Sequence, residues 1–187
     1  MDQFIIIKIF EYLDHDDRVN MNNVIKCFGS LFQYIYMINE YMITRDFDVM
    51  CYTNLKSLKC AYYTELTDVS IKKLKNLTSF ECSYCSNVTD SSIKKLQHLT
   101  SFKCCNCPKI TDSSIKKLKN LTSLECSFCS KITDNSIKKL KLLTNLSCLD
   151  CPNITDTSIK KLSNLTYLSL YDCPKITGIC LKELKNL

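Results

Sequence analysis

The sequence predicts an α/β repeat protein, because one unit of 22 residues recurs six times and the spacing of apolar residues changes within each unit. Starting at Asn54, the 187-residue chain divides without insertion into the blocks 54–75, 76–97, 98–119, 120–141, 142–163 and 164–185. Most of each block recurs, as in "NLTSFECSYCSNVTDSSIKKLQ" followed by "HLTSFKCCNCPKITDSSIKKLK". An uninterrupted repeat of this size indicates stacked supersecondary units that share one core.

Each unit is predicted to contain a strand, a turn and a short helix. Apolar residues occupy positions 2, 5, 7, 13, 18 and 21 of the unit, which in the second block are Leu77, Phe80, Cys82, Val88, Ile93 and Leu96. The spacing of two between Phe80 and Cys82 places both on one face of a strand. Ile93 and Leu96 are three residues apart, as on one face of a helix. The dipeptide "TD" before each helical segment is interpreted as a cap, since its side-chain oxygens can accept hydrogen bonds from free backbone N–H groups.

The cysteines form C-x-x-C pairs, for which zinc binding and packing are the two alternatives. The pair Cys82 and Cys85 is followed by another pair after eighteen residues, a spacing that occurs in zinc sites. However, Leu170 replaces the first cysteine of the pair in one block, and Tyr63 replaces the second in another. A buried small apolar residue tolerates such replacement, whereas a metal ligand does not. We therefore interpret these cysteines as core residues and predict no metal site and no cofactor.

The stretch "LTSFKCCNCPKITDSSIKKL" resembles the cysteine-containing class of leucine-rich repeats, whose pattern runs L-x-x-L-x-L-x-x-C-x-x-I-T-D and continues into an apolar helix. The resemblance extends over residues 54–187 and holds in six consecutive units. It implies a curved solenoid with a parallel sheet on the concave side and helices on the convex side. The low content of Gly, Pro and Trp, beside abundant Ile, Lys and Asn, resembles repeat proteins of amoebae and of the giant viruses that infect them.

Residues 1–32 depart from the repeat and are predicted to form two helices. Ile5, Ile9 and Leu13 belong to one apolar helical face. The segment "IIIKIFEYLDHDD" followed by "VIKCF" resembles an F-box, which implies that these three residues dock onto an Skp1-type adaptor of a cullin ubiquitin ligase. The alternative is a helical cap that covers the first repeat. Residues 33–53 are predicted to form a connecting or capping segment, because they are too apolar for a free linker.

Charge is distributed unevenly along the chain. Residues 1–53 have a net charge of −4 and residues 54–187 a net charge of +10, which together give the total of +6. Fifteen lysines belong to the K-K-L-K stretches, such as Lys116, Lys117 and Lys119, on the side that the resemblance makes convex. Rows of lysine can follow the phosphates of a nucleic acid. Because no aromatic residue interleaves these rows for base stacking, we favour a solvated surface over nucleic-acid binding.

The outward strand positions 4, 6, 8 and 9 are the candidate recognition surface, since they vary from block to block while the core positions recur. Exposed aromatic residues are common anchors of protein interfaces. Position 6 alternates in charge, which predicts weak ion pairs between neighbouring strands. Six strands give a lane of roughly 24 Å, suited to a peptide or the edge of a small domain. The predicted partner-binding residues are Tyr62, Tyr84, Phe128, Leu149, Asp150, Tyr167, Tyr171 and Asp172.

Catalysis is not predicted, because the chain has only two histidines and two scattered glycines, and no nucleophile, base and orienting residue come together. No stretch approaches eighteen apolar residues, and many free thiols are typical of a reducing compartment. We expect an intracellular protein, cytoplasmic or nuclear, that binds an unknown protein target and neither a membrane nor a small-molecule substrate. The most specific hypothesis is a substrate receptor of an SCF-type (Skp1-cullin-F-box) ubiquitin ligase. The alternative is a stand-alone scaffold.

Overall fold

The structure is a computed structural model that describes residues 55–61 and 66–187. The F-box-like region 1–32, the segment 33–53 and Tyr62 lie outside these described residues. Within them, six strands form one parallel sheet in chain order. The strands are Ser57–Ala61 (β1), Ser79–Ser83 (β2), Ser101–Lys103 (β3), Ser123–Glu125 (β4), Asn145–Leu149 (β5) and Tyr167–Tyr171 (β6).

The register of the sheet follows the repeat. Neighbouring strands pair residues one unit apart, as Phe80 with Phe102 and Phe102 with Leu124. A single helical turn follows each of the first five strands, and a 3-10 helix at Ile179–Glu183 follows the sixth. The helical turns are Asp68–Ile71 (α1), Asp90–Ile93 (α2), Asp112–Ile115 (α3), Asp134–Ile137 (α4) and Asp156–Ile159 (α5). The fold is therefore the predicted α/β leucine-rich repeat solenoid.

The core lies between the sheet and the row of helical turns. Every residue at positions 2, 5, 7, 13, 18 and 21 of the second to fifth coils is buried, which confirms the predicted core positions. At position 5, the rings of Phe80 and Phe102 stack with centroids 5.8 Å apart. In the sixth coil the equivalent residues Leu168 and Leu170 are only partly buried, because a described coil covers them on one side alone.

Two polar positions complete the packing. At position 3, the hydroxyl of Thr122 donates to the carbonyl oxygen of Thr100 in the preceding coil at 3.0 Å, and Thr144 does the same to Thr122. Position 17 is a further core position that apolar spacing did not identify, since serine is polar. Its side chain, as at Ser92, is fully buried and donates to a backbone carbonyl three residues earlier. The side chains at these two positions are thus hydrogen-bonded to the backbone.

The "TD" dipeptide has two separate roles. Thr111 caps its own helical turn, because its hydroxyl accepts a hydrogen bond from the backbone N–H of Ser113 at 3.1 Å. Asp112 does not cap that turn. Its carboxylate accepts hydrogen bonds from Thr133 in the next coil instead. The interpretation of the dipeptide as a cap is therefore correct for threonine and wrong for aspartate, which links one coil to the next.

Candidate protein-binding surface and the cysteine ladder

The predicted recognition residues that the structure describes are mostly exposed. The exposed fractions are 40% for Tyr84, 47% for Phe128, 53% for Tyr167 and 72% for Tyr171. Asp150 and Asp172 are also exposed, whereas Leu149 is half-buried. Because the alternate strand positions 5 and 7 point into the core, positions 4, 6 and 8 belong to the opposite side of the sheet. The structure thus brings Leu149, Tyr167 and Tyr171 to the outer side of β5 and β6.

Position 8 contributes less surface than predicted. Ser83 and Ser127 are each only 7% exposed, and Cys105 is half-buried. Position 8 presents a large outward side chain at Leu149 in β5, which is half-buried, and at Tyr171 in β6, which is exposed. In the second and fourth coils, position 8 lies on the outer side of the sheet but is too buried to offer the predicted contact surface.

Position 9 has an unusual backbone conformation. Its φ angle is positive in every described coil from the second to the sixth, between 50° and 59°. This conformation turns the backbone N–H toward the next coil, where it continues the sheet hydrogen bonds beyond the strand. The N–H of Tyr84 donates to the carbonyl oxygen of Cys105 at 2.9 Å, and that of Phe128 donates to Leu149 at 2.7 Å.

The residue types at position 9 carry different conformational costs. Asn106, Asp150 and Asp172 belong to the residue types that tolerate left-handed backbone. Tyr84 and Phe128 do not, and such strain costs on the order of 1–3 kcal/mol for each residue. Since asparagine serves at the same turn in the third coil, the fold itself does not require an aromatic ring there. An exposed, strained aromatic residue points to selection for binding rather than for stability.

The N-terminal strands carry the predicted charge ladder at position 6. The ammonium group of Lys103 lies 3.1 Å from Glu125 and 3.7 Å from Glu81, and Lys59 lies 3.9 Å from Glu81. Burial would lower the pKa of Lys103, but the carboxylates of Glu125 and Glu81 outweigh it and raise that pKa. The prediction of ion pairs between strands is confirmed. These charges are neutralised within the sheet and are less available to a partner.

The C-terminal strands have a different surface. Position 6 carries the uncharged residues Ser147 and Ser169 in β5 and β6. The only charged residues on this part of the sheet surface are therefore Asp150 and Asp172, beside the exposed rings of Tyr167 and Tyr171. We call these four residues the acidic aromatic patch. It joins negative charge with apolar area that is open to solvent.

The position-10 cysteines form a ladder of S–H hydrogen bonds. The sulfur of Cys107 lies 3.2 Å from the carbonyl oxygen of Cys82 in the preceding coil, and that of Cys129 lies 2.9 Å from Cys104. Each sulfur also lies near the carbonyl of the residue two positions earlier. Cysteine thus replaces an apolar core residue and supplies a weak donor to backbone oxygens. Burial raises the pKa of Cys82 well above its usual range, which keeps this thiol protonated.

The cysteine interpretation and the structure agree on burial. In the second to fifth coils, both cysteines of each pair are buried, as a packing role requires.

Within residues 55–61 and 66–187, no helix is long and apolar enough to cross a membrane.

Comparisons with known proteins agree on the fold. No family profile and no curated sequence match the chain. The structure of internalin C2 from Listeria monocytogenes is 22% identical, with a TM-score of 0.57, and the match covers 79% of this chain and 75% of that chain. A leucine-rich repeat protein of Leptospira interrogans is 19% identical, with a TM-score of 0.56 and coverage of 75% and 43%.

A further match concerns the cysteines. The functional domain of InlJ from Listeria monocytogenes, which includes a cysteine ladder, is 20% identical with a TM-score of 0.52. The match covers 74% of this chain and 35% of that chain, so the present chain spans about a third of its length. At these identities the comparisons define the class of fold, a leucine-rich repeat solenoid.

Proposed function

We propose that the chain is a protein-interaction module that binds its target on the sheet surface. The observation that carries this proposal is the acidic aromatic patch, Asp150, Tyr167, Tyr171 and Asp172. Two exposed tyrosines supply apolar area of the kind that anchors protein interfaces. Tyr84 and Phe128, whose backbone conformation is strained, add exposed aromatic rings in the second and fourth coils.

The charge of the patch defines the chemistry of the target. Asp150 and Asp172 attract lysine or arginine side chains, and tyrosine rings stabilise a cation that lies over their faces. Lys59, Glu81, Lys103 and Glu125 are already paired with one another on the N-terminal strands. The target is therefore a basic segment with apolar residues, bound across the C-terminal strands.

Selection of short peptides from a random display library tests this proposal. We expect peptides enriched in Lys or Arg beside apolar residues, with affinities that weaken at least tenfold in the variant Tyr171→Ser with Asp172→Asn. The matched control is Leu142→Ser, which removes an exposed apolar residue away from the acidic aromatic patch and should bind like wild type. Acidic consensus peptides, or equal binding by both variants, would refute the proposal.

We further propose that residues 1–32 act as an F-box, in which Ile5, Ile9 and Leu13 dock onto an Skp1-type adaptor. The chain would then be a substrate receptor of an SCF-type ubiquitin ligase, with adaptor and cullin supplied by the host if the chain is viral. The support is the similarity of "IIIKIFEYLDHDD" to the F-box pattern and its position before the repeats. The alternative is a stand-alone scaffold whose N-terminal helices only cover the first coil.

Nucleic-acid binding is a weaker alternative. Most lysines of the K-K-L-K rows are exposed in the described coils, including Lys116, Lys117 and Lys119. Their charge would attract phosphates, but the K-K-L-K rows contain no aromatic residue that could stack on bases. We therefore assign these rows to solvation of the convex surface.

A further inference from the structure

We propose that three core cysteines, Cys126, Cys148 and Cys151, form a binding site for one monovalent copper ion, Cu(I). We call them the thiol triad. They lie where the fourth and fifth coils meet, and all three are buried. The Sγ atoms of Cys126 and Cys148 are 3.5 Å apart, and the three Sγ atoms all lie within 4.8 Å of one another. The triad shares no residue with the acidic aromatic patch, although Asp150 of the patch directly precedes Cys151 in the sequence.

The distances within the triad match those of a three-coordinate ion. Sulfur ligands at about 2.3 Å from one metal, arranged in a plane, lie about 4.0 Å from each other. In the triad, the Cys126–Cys148 separation is 3.5 Å and no separation exceeds 4.8 Å. The sulfurs are therefore already close to the spacing that a three-coordinate ion requires.

The number and type of ligands favour copper over zinc. Thiolate sulfur is a soft ligand and selects Cu(I), while structural zinc sites are almost always tetrahedral with four ligands. In the described part of the chain, the group holds three cysteines and no further Cys, His, Asp or Glu within the same distance. An ion that accepts three sulfurs fits this set better than one that requires a fourth ligand.

The triad differs from the other cysteine groups along the solenoid. Cysteines at positions 7 and 10 recur at several coil boundaries, yet among the described residues only this trio brings three sulfurs so close together. In the sixth coil, position 7 is Leu170 instead of cysteine, so the row of position-7 thiols ends at Cys148.

Binding of the ion is coupled to the loss of protons. Each cysteine that becomes a thiolate ligand releases one proton to solvent, so three thiolates around one Cu(I) ion carry a net charge of −2, and the affinity for the ion depends on pH.

Titration of the full-length, fully reduced chain with Cu(I) under argon, against a competing Cu(I) chelator, tests the site. We expect one Cu(I) retained per chain, with an X-ray absorption spectrum that shows three sulfur neighbours at about 2.3 Å. Cys148→Ala should weaken binding at least about 100-fold, since even the loss of a residue that only supports a ligand costs 10- to 100-fold. Cys82→Ala is the matched control, because Cys82 is equally buried at position 7 but lies outside the triad.

Three results would overturn the proposal. The first is wild-type protein that retains no Cu(I) against the chelator. The second is equal loss of binding in Cys82→Ala and Cys148→Ala, which would mean diffuse binding by many thiols. The third is retention of one zinc ion per chain that Cys148→Ala abolishes, which would assign the triad to zinc. Circular dichroism melts of both variants establish that each remains folded, so that loss of copper reports loss of a ligand.

Discussion

The carboxylate of Asp112 accepts two hydrogen bonds from Thr133 in the next coil, at 2.8 Å from the backbone N–H and 2.6 Å from Oγ1. Because Thr133 also caps its own helical turn, each such pair links the first residue of one helical turn to the cap of the next. The arrangement recurs from Asp68 with Thr89 to Asp156 with Thr177. In the sixth coil, Gly178 takes the place of aspartate, so the described ladder has no further carboxylate.

The Asp–Thr ladder should contribute measurably to stability. Asp112→Ala leaves the N–H and hydroxyl of Thr133 without their acceptor, and we expect the free energy of unfolding to fall by about 1–3 kcal/mol. Urea denaturation measures this change. Asp150→Asn, which removes an exposed charge outside the ladder and keeps a residue type that tolerates the left-handed backbone, should change it by less than about 0.5 kcal/mol. Equal losses in the two variants would mean that the ladder contributes nothing specific.

The same ladder predicts loss of stability in acid. Burial opposes the shift at Asp68, but hydrogen bonds from Ser92, Thr89 and Ser91 outweigh it and lower the pKa of Asp68. Hydrogen bonds from Cys180 and Thr177 likewise lower the pKa of Asp156. An unfolded aspartate has a pKa of about 3.9 and therefore binds its proton at a higher pH than the folded one. Their contribution is complete above about pH 4 and is lost as the pH falls through the folded values.

Urea midpoints at pH 6 and pH 3 measure this dependence. Asp68→Ala should lose less stability than wild type between these two pH values, because the titrating group is absent. The matched comparison is Leu142→Ser, which changes an exposed residue without removing a titrating group and whose acid dependence should equal that of wild type. A wild-type midpoint that does not fall at pH 3 would contradict the assignment.

The core position of Ile110 gives a test of the solenoid. Ile110 is 1% exposed, so Ile110→Asp places an unpaired charge in the core and should lower the free energy of unfolding by more than about 3 kcal/mol. Lys117→Glu, at an exposed position on the helical side, should change it by less than about 0.5 kcal/mol. Chemical denaturation of the two variants separates these outcomes, and similar losses would disprove the assignment of inside and outside positions.

Replacement of Phe128, whose backbone is in the left-handed conformation, should raise stability and weaken binding. Phe128→Asn replaces a strained aromatic residue by the type found at Asn106, and we expect the free energy of unfolding to rise by about 1 kcal/mol. Binding of the selected peptides should weaken at the same time if the ring contacts the target. The control is Asn106→Ala, which should destabilise the chain. A destabilised Phe128→Asn variant would show that the ring packs for structural reasons.

Apolar spacing predicted the repeat, its elements and most of the core because positions 5, 7, 18 and 21 recur with the same chemistry, as Phe80 and Ile93 illustrate. It could not predict which group the carboxylate of Asp112 contacts. Local sequence indicates a helix cap, but it does not show that the fold places a threonine 21 residues later beside that carboxylate. Nor did it reveal the left-handed turn at position 9. Asn106 and Asp150 are suited to that conformation, but Tyr84 and Phe128 at the same position obscure the signal.

Co-purification from a eukaryotic cell lysate decides between the ubiquitin and scaffold proposals. An F-box must leave an apolar surface free for an adaptor, so simultaneous change of Ile5, Ile9 and Leu13 to serine should abolish recovery of an Skp1-like adaptor and a cullin. The same variant should still bind the selected basic peptides and keep the circular dichroism melt of the repeats. The reverse variant, Asp172→Asn, should lose peptide and retain adaptor. If wild type recovers no adaptor where a control F-box protein does, the F-box proposal is refuted and the scaffold proposal is retained.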